Sequence, residues 1–438
     1  MKNCILRYVA VALGCSSFLA AQPVDDTQLK QVIIFGRHSV RAPVAANTIL
    51  DTFSANPFPA FGVDAGILTP NGEKLETILG GYYRLWLTKE GLLTGNDSND
   101  AKFVYVHANA IQRTVDTAKH FALGLLPSAN VNVQYLTPTT AIDPLFDPVD
   151  AGVALLNPQM AIAAVTGRLG GNPQSLASAY AAEFAQTRSL LFNYPVSATP
   201  APAAPAGKLD VTTIPIAVTE GTKPASISLG GLSDVGVAID PFVMEYADGL
   251  PASDVGWGHL TADSISQSLR LTTLILDLEF RTPYLDRVQS SNVASHVVRS
   301  LVQAATGNPM SGALGNPTSK AVVLIASDVN VTGLAGLFHL DWLLPGYPEN
   351  FCAPGGALVF ELRQSQSTGE YIVRASYVAQ TLDQLRNQTA LTLDAPPASA
   401  PVFIPGCSVD NPTFDCPLGK FVRIANQVID PNSADLVN

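Results

Sequence analysis

Three arginines, a histidine, a serine and an aspartate stand where chemistry can be done. Arg37 and His38 follow the apolar run Lys30–Phe35, and Arg41 stands three residues beyond the histidine. Arg113 comes a few residues after the run Phe103–Val106, in the first turns of a helical pattern. Ser327 and Asp328 follow directly on Ala321–Ala326. Ligands of open α/β sheets bind outside the carboxyl ends of the strands, so these six residues are expected to converge. Guanidinium forks match phosphate oxygens and stay charged at any working pH. A histidine nitrogen is a good nucleophile near neutrality, and a carboxyl group can protonate a departing alkoxide. The set describes an anion pocket suited to phosphoryl chemistry, in which stabilising charge on the transferring oxygens is usually the largest catalytic contribution.

The elements that must carry these residues are readable from periodicity. The three runs are short and continuously apolar, as strands buried on both faces of a parallel sheet are. Helical spacing follows the second run (Ile111, Val115, Ala118, Ala122, Leu125) and the third (Val331, Leu334, Ala335, Phe338). A further helix is expected from Asn71 to Leu92, with Pro70 at its start, and another from Ser264 to Phe280, ended by Pro283. Ala357–Leu362 and Tyr371–Ala379 flank a polar segment and read as a hairpin at the sheet edge. Residues from about 145 to 260 are rich in Ala, Gly and Pro and lack such buried runs. The expected fold is α/β, a three-layer sandwich around a mostly parallel sheet. Residues 22–145 and 260–438 would form this core, and 146–259 an inserted, mainly α-helical cap.

Composition limits the partners. Of 438 residues, 47% are apolar and 14% charged, against roughly 25% charged in an average soluble chain. Lys and Arg number 25 against 36 Asp and Glu, for a net charge of −11. Without a broad basic face, nucleic acid and anionic membrane surfaces are not expected partners. Any anion must be held by a few placed residues. Lys2 and Arg7, the apolar stretch after them and Ala20-Ala21 read as a secretory signal over residues 1–21, with lipid attachment at Cys15 the less favoured reading. No other run approaches the ~18 apolar residues of a membrane span. A soluble periplasmic or secreted protein is expected. In that compartment Cys407 and Cys416, close together in a Pro- and Gly-containing loop, should form a disulfide. Cys352 reads as a small buried hydrophobe. His107, at a strand end, and His339, on a helix face, read as structural, as does Arg281 near a helix end.

The segment Arg37-His38-Ser39-Val40-Arg41-Ala42-Pro43 resembles the Arg-His-Gly-x-Arg-x-Pro signature of the histidine acid phosphatases, the second branch of the histidine phosphatase superfamily. Leu68-Thr69-Pro70-Asn71-Gly72 is similar to the family's Leu-Thr-x-x-Gly step into a helix, and Gln112-Arg113-Thr114 to its second arginine segment. Asp328-Val329-Asn330 stands where the family has His-Asp-x-Asn. Leu344-Pro345-Gly346, Pro354–Phe360 and Thr381–Arg386 look like the bacterial periplasmic phytases and glucose-1-phosphatases, as does the Cys407–Cys416 spacing. The resemblance covers most of the chain and thins between about 165 and 250.

It implies that His38 attacks phosphorus and becomes a phosphohistidine. Arg37, Arg41 and Arg113, with Ser327, would hold the phosphoryl oxygens, and Asp328 would protonate the leaving oxygen. No metal or other cofactor is needed. An acid optimum follows if Asp328 must start protonated. Ser39 replaces the family glycine, which matters if that position requires φ > 0. Ser327 replaces a histidine that donates to the phosphate, and losing such a donor can cost roughly 10²–10³ in rate. The residues after the signature are Val44, Ala45 and Ala46, with no basic group to recruit a polyanion. Sugar phosphates or other small monoesters are therefore expected over phytate. The alternative function is a phosphoester- or anion-binding protein with weakened catalysis.

Overall fold

The computed structural model describes residues 25–222 and 226–435. The expected signal segment, with Cys4 and Cys15, lies outside the described residues. Among these, ten strands form one large and one small sheet. They are β1 (Thr27–Arg37), β2 (Val104–Ala108), β3 (Val133–Gln134), β4 (Ile216–Glu220), β5 (Ile227–Gly230), β6 (Ala321–Ala326), β7 (Ala357–Ser365), β8 (Tyr371–Ala379), β9 (Ala398–Val402) and β10 (Cys416–Pro417). The large sheet runs β10-β8-β7-β1-β6-β2-β3, with β9 also beside β8, and β4 and β5 pair with each other. β1, β6, β2 and β3 are parallel; β7 to β10 join antiparallel. The β7–β8 hairpin forms as expected but not at the edge, because β9 and β10 both pair with β8 beyond it.

Register sets the site. Arg37 lies opposite Ala326, and Ala108 opposite Ile325, so the carboxyl ends of the three expected strands finish level. Successive side chains of a strand face opposite ways. On β1, Val32 and Ile34 join one apolar cluster with Tyr83, Phe121 and Val323. Ile33 and Phe35 join the other, with Leu324, Val297 and Leu334. Both faces of the strand are thus covered, which is why the run is apolar throughout.

The first face is covered by the helices Pro70–Lys89 and Gln112–Leu125. They approach closely because Gly80 and Gly124 lack side chains. A Cβ on either would come within 2.1 Å of a carbonyl oxygen of the other helix, Phe121 O or Thr77 O. The second face is covered by Pro283–Thr306 and Asp328–Phe338. Pro283 ends the helix Ala262–Phe280 as expected, but it also begins a 24-residue helix that the sequence reading did not contain. Proline suits that first position, where its missing N–H is not needed. Small polar residues (Ser290, Ser291, Asn292, Ser295) are buried along this helix and break its apolar periodicity.

Helices Pro158–Arg168, Ala181–Leu191 and Gly231–Ala247, with the β4–β5 pair, lie between β3 and Ala262. Leu232, Ile239 and Phe242 share the second cluster with Phe35 and Leu324, so one apolar core runs from the sheet into this helical part. Cys407 and Cys416 are joined, with their Cα atoms 5.2 Å apart. Cys352 is buried as a free thiol, its pKa pushed up to about 12 by burial. Among the described residues no helix is long and apolar enough to cross a membrane.

Candidate active site

The chain leaves β1 under tight backbone control. Arg37 N–H donates to Gly356 O (2.9 Å), His38 N–H donates to Ala326 O at the end of β6 (2.8 Å), and Gly355 N–H donates to His38 O (3.1 Å). The histidine is therefore pinned from both neighbouring strands. Its Nδ1 lies 2.8 Å from Ser39 O. A carbonyl only accepts, so Nδ1 carries the proton and the Nε2 lone pair is left for chemistry. Burial, with the charges of Arg37, Arg113 and Arg41, holds the His38 pKa well below the usual histidine value. That shift favours the neutral ring, the state a nucleophile needs.

The expected residues do come together. His38, Arg41, Arg113, Ser327 and Asp328 line one cleft of about 700 Å³. Arg37 does not line it; 3% exposed, it donates to Cys352 O (2.6 Å) and pairs with Asp328 (3.0 Å), which does. Asp328 opens the helix that follows β6, and its second oxygen accepts from Val329 N–H (3.0 Å). Arg113 has no ion pair or hydrogen bond to any described residue. Burial and the neighbouring Arg41 push its pKa down to about 10, and it faces the cleft as a cation.

Arg41 is different. Both of its terminal nitrogens bind the Asp240 carboxylate, at 2.8 and 3.0 Å. Burial opposes ionisation of Asp240, but Arg41 outweighs it and holds the carboxyl below its ordinary value. Asp240 comes from the helix Gly231–Ala247, beside Pro241, and the sequence reading missed it. No local signal pointed to it, because its partner is 199 residues away.

The two departures from the family pattern have local explanations. Ser39 is not among the residues with positive φ, so the position accepts a side chain without backbone strain. Ser327 is the N-cap of the helix Asp328–Phe338, a place where serine is among the preferred residues. Its N–H donates to Asn330 Oδ1 (3.0 Å). Asn330 in turn donates to Phe146 O (2.7 Å), and Asn109 binds Asp147 (2.6 Å). This amide network holds a loop against the cleft wall. Asn330 was visible in the Asp-Val-Asn triplet; Asn109 and Asp147 were not.

The remaining candidates stay away from the cleft lining. His107 pairs with Asp143 (2.8 Å) and touches Tyr105. His339 is exposed in a left-handed C-cap conformation, past the end of the helix rather than on its face. Arg281 ends its helix and binds Asp341 (2.6 Å).

Comparisons with known proteins bear on the family and the fold. The model of the histidine phosphatase superfamily (branch 2) matches residues 28–190. The chain is 30% identical to the phytase AppA of Escherichia coli, over 98% of this chain and 99% of that protein. It is 29% identical to a glucose-1-phosphatase of Salmonella typhimurium, over 97% and 99%. The solved structure of Hafnia alvei phytase in complex with tartrate superposes with a TM-score of 0.84 at 31% identity, covering 94% of this chain and 99% of the phytase chain.

Proposed function

From the premise that this chain belongs to the histidine phosphatase superfamily, branch 2, we propose that it is an exported phosphomonoesterase that works at acidic pH through a phosphohistidine. One observation carries the reading: His38 is a neutral imidazole with Nδ1 anchored, among three arginines, beside a carboxyl group at a helix start. Nε2 of His38 donates its lone pair to phosphorus. The bond from phosphorus to the ester oxygen breaks, and Asp328 gives that oxygen its proton. Water then attacks phosphorus and returns a proton to Asp328, the P–N bond breaks, and inorganic phosphate leaves. Arg37, Arg41 and Arg113 hold the equatorial oxygens where charge is greatest. The Ser327 hydroxyl supplies a shorter, neutral donor where the family has histidine.

The substrate class is a small monoester, a sugar phosphate before an inositol polyphosphate. Among the described residues lining the cleft, the arginines are Arg41 and Arg113, and Asp240 already occupies Arg41. The rest of the wall is largely Val44, Ala110, Ile111, Ala141, Ile142 and Val329, with the carboxylates of Asp147 and Asp150. Such a wall suits a neutral leaving group. A polyphosphorylated ring would have to bring several more charges against it.

The test is phosphate release from p-nitrophenyl phosphate, glucose 1-phosphate and inositol hexakisphosphate across acid to neutral pH, beside His38→Ala. Turnover with trapping of an acid-labile phosphoenzyme is expected in the wild type and neither in the variant. The second reading, a phosphoester-binding protein, is favoured by Ser327 alone. It is selected if inorganic phosphate binds and no ester turns over.

A further inference from the structure

Two buried asparagines turn their amide nitrogens towards one carboxyl. Asn109 follows β2 directly, and its N–H donates to Ile325 O of β6 (2.9 Å). Asn330 stands two residues after Asp328, in the first turn of the same helix. They are 1% and 9% exposed. Asp147 lies between them. Its Oδ2 accepts from Asn109 Nδ2 (2.6 Å), and its Oδ1 accepts from Asn330 Nδ2 (3.3 Å). Neither amide can flip. Asn109 Oδ1 accepts from Ala110 N–H (2.8 Å), and Asn330 Oδ1 accepts from Ser327 N–H (3.0 Å). A backbone N–H only donates, so each Oδ1 is committed and each Nδ2 must face Asp147. A carboxyl group offers an acceptor oxygen to both. An amide at 147 would satisfy one and set its own N–H groups against the other. The carboxyl is also held from behind: Asp147 N–H donates to Asp143 O (2.8 Å), and Asp143 pairs with His107 of β2 (2.8 Å).

We propose that Asp147 is a positioning residue for Asp328, tying the first turn of the acid's helix to the end of β2 through two asparagines whose fixed polarity demands a carboxyl. The proposal rests on the phosphohistidine reading above, in which Asp328 protonates the leaving oxygen, and extends it to a residue that gives no proton itself. Asp147 lines the same cleft as Asp328 and acts through Asn330, which Phe146 O also holds (2.7 Å). Breaking the tie loosens the turn that aims the Asp328 carboxyl. The cost falls on esters whose leaving oxygen needs a proton. A placed general acid is worth roughly 10²–10⁴ in rate to such an ester, and much less to one whose leaving group is stable as an anion. A residue of the loop at the cleft wall thereby affects which esters react.

The experiment compares phenyl phosphate with p-nitrophenyl phosphate, esters of similar shape whose leaving oxygens differ in basicity. It is read by single-turnover phosphoenzyme formation in Asp147→Asn and in the exchange variant Asp147→Asn with Asn109→Asp. In the exchange variant the new carboxyl at 109 accepts from Ala110 N–H and from the new amide at 147, whose oxygen is left for Asn330. Asp147→Asn is expected to slow phenyl phosphate about 30-fold and p-nitrophenyl phosphate about 3-fold. The exchange variant is expected to return both esters to within about 3-fold of wild type. Equal losses for the two esters in Asp147→Asn, or an exchange variant no faster than Asp147→Asn, overturn the proposal while the function stands. If Asp147→Asn does not fold, the exchange variant beside Asp147→Ala carries the same comparison: no gain on phenyl phosphate overturns it. A wild type without turnover removes the phosphohistidine reading and this proposal with it.

Discussion

The floor and the rim of the cleft are built on different terms. The floor is His38, with Arg37 and Ser39 buried on either side of it in the chain, set on a strand end and held by backbone hydrogen bonds from β6 and from the turn before β7. It is cationic, nearly dry and fixed. The rim comes from loops around 139–150, from Val44, and through Asp240 from a helix about 200 residues further along the chain. It is apolar and acidic. On the proposed function, the difference assigns the reaction to the floor and the choice of ester to the rim. Change at one should leave the other's property standing.

The sharpest way to break that division is at the floor. His38→Ala is expected to lower kcat by about 10⁴-fold or more for every ester alike, because the nucleophile is gone whatever the leaving group. Loss for one ester only would show that the rim shares the chemistry. Ser327→His asks whether the floor is complete. Adding the donor is expected to raise kcat roughly 10- to 10²-fold. Urea denaturation should show a cost of about 1 kcal/mol, because a preferred N-cap is lost. Asp240→Asn cuts the ion pair between Arg41 of the cleft and the helix Gly231–Ala247. It leaves Arg41 buried against a neutral amide, and inhibition by inorganic phosphate is expected to tighten about 10-fold, with a loss of about 2 kcal/mol of stability. Val44→Lys acts on the rim alone. A cation beside the signature should lower KM for inositol hexakisphosphate about 5-fold and leave p-nitrophenyl phosphate within 2-fold.

The histidine and the buried carboxyls should respond oppositely to pH. His38, held below its ordinary pKa, binds its proton less readily folded than unfolded, so its contribution to stability is lost as pH falls below about 6.5. On the helical side burial pushes Glu245 up to about 8, Glu279 to about 7 and Asp248 to about 6. These groups hold protons in the fold that the unfolded chain releases near pH 4, so their contribution is lost as pH rises from there towards 8. Burial also raises Glu76 to about 8 and Asp286 to about 7, and lowers His296; with five such carboxyls against two histidines, Tm is expected to fall by a few degrees between pH 5 and 8. Glu245→Gln should flatten that slope. A Tm that rises over the same interval would show that the floor governs stability instead.

The floor was legible in the sequence for a physical reason. A strand buried on both faces must be apolar, so the polar residues that follow it stand out, and level strand ends bring three such sets together. Arg113 and Asp328 were found by the same logic. What stayed hidden was held by contacts that leave no periodic trace. Asp240 sits beside a proline inside a helix, a local pattern that argues against helix. The helix Pro283–Thr306 carries buried serines and an asparagine where periodicity expects apolar groups. The hairpin was found, but its place inside the sheet depended on β9 and β10, strands of five and two residues with no clear apolar run of their own.

The Arg41–Asp240 pair has a consequence for product release. On the proposed mechanism, inorganic phosphate would form in the same grip that held the ester, and three unencumbered arginines would keep it. Here two of the five guanidinium donors of Arg41 already serve an internal carboxylate. The departing anion therefore meets a resident competitor that never diffuses away. On the proposed function, Asp240 would loosen the grip on inorganic phosphate and so favour its release.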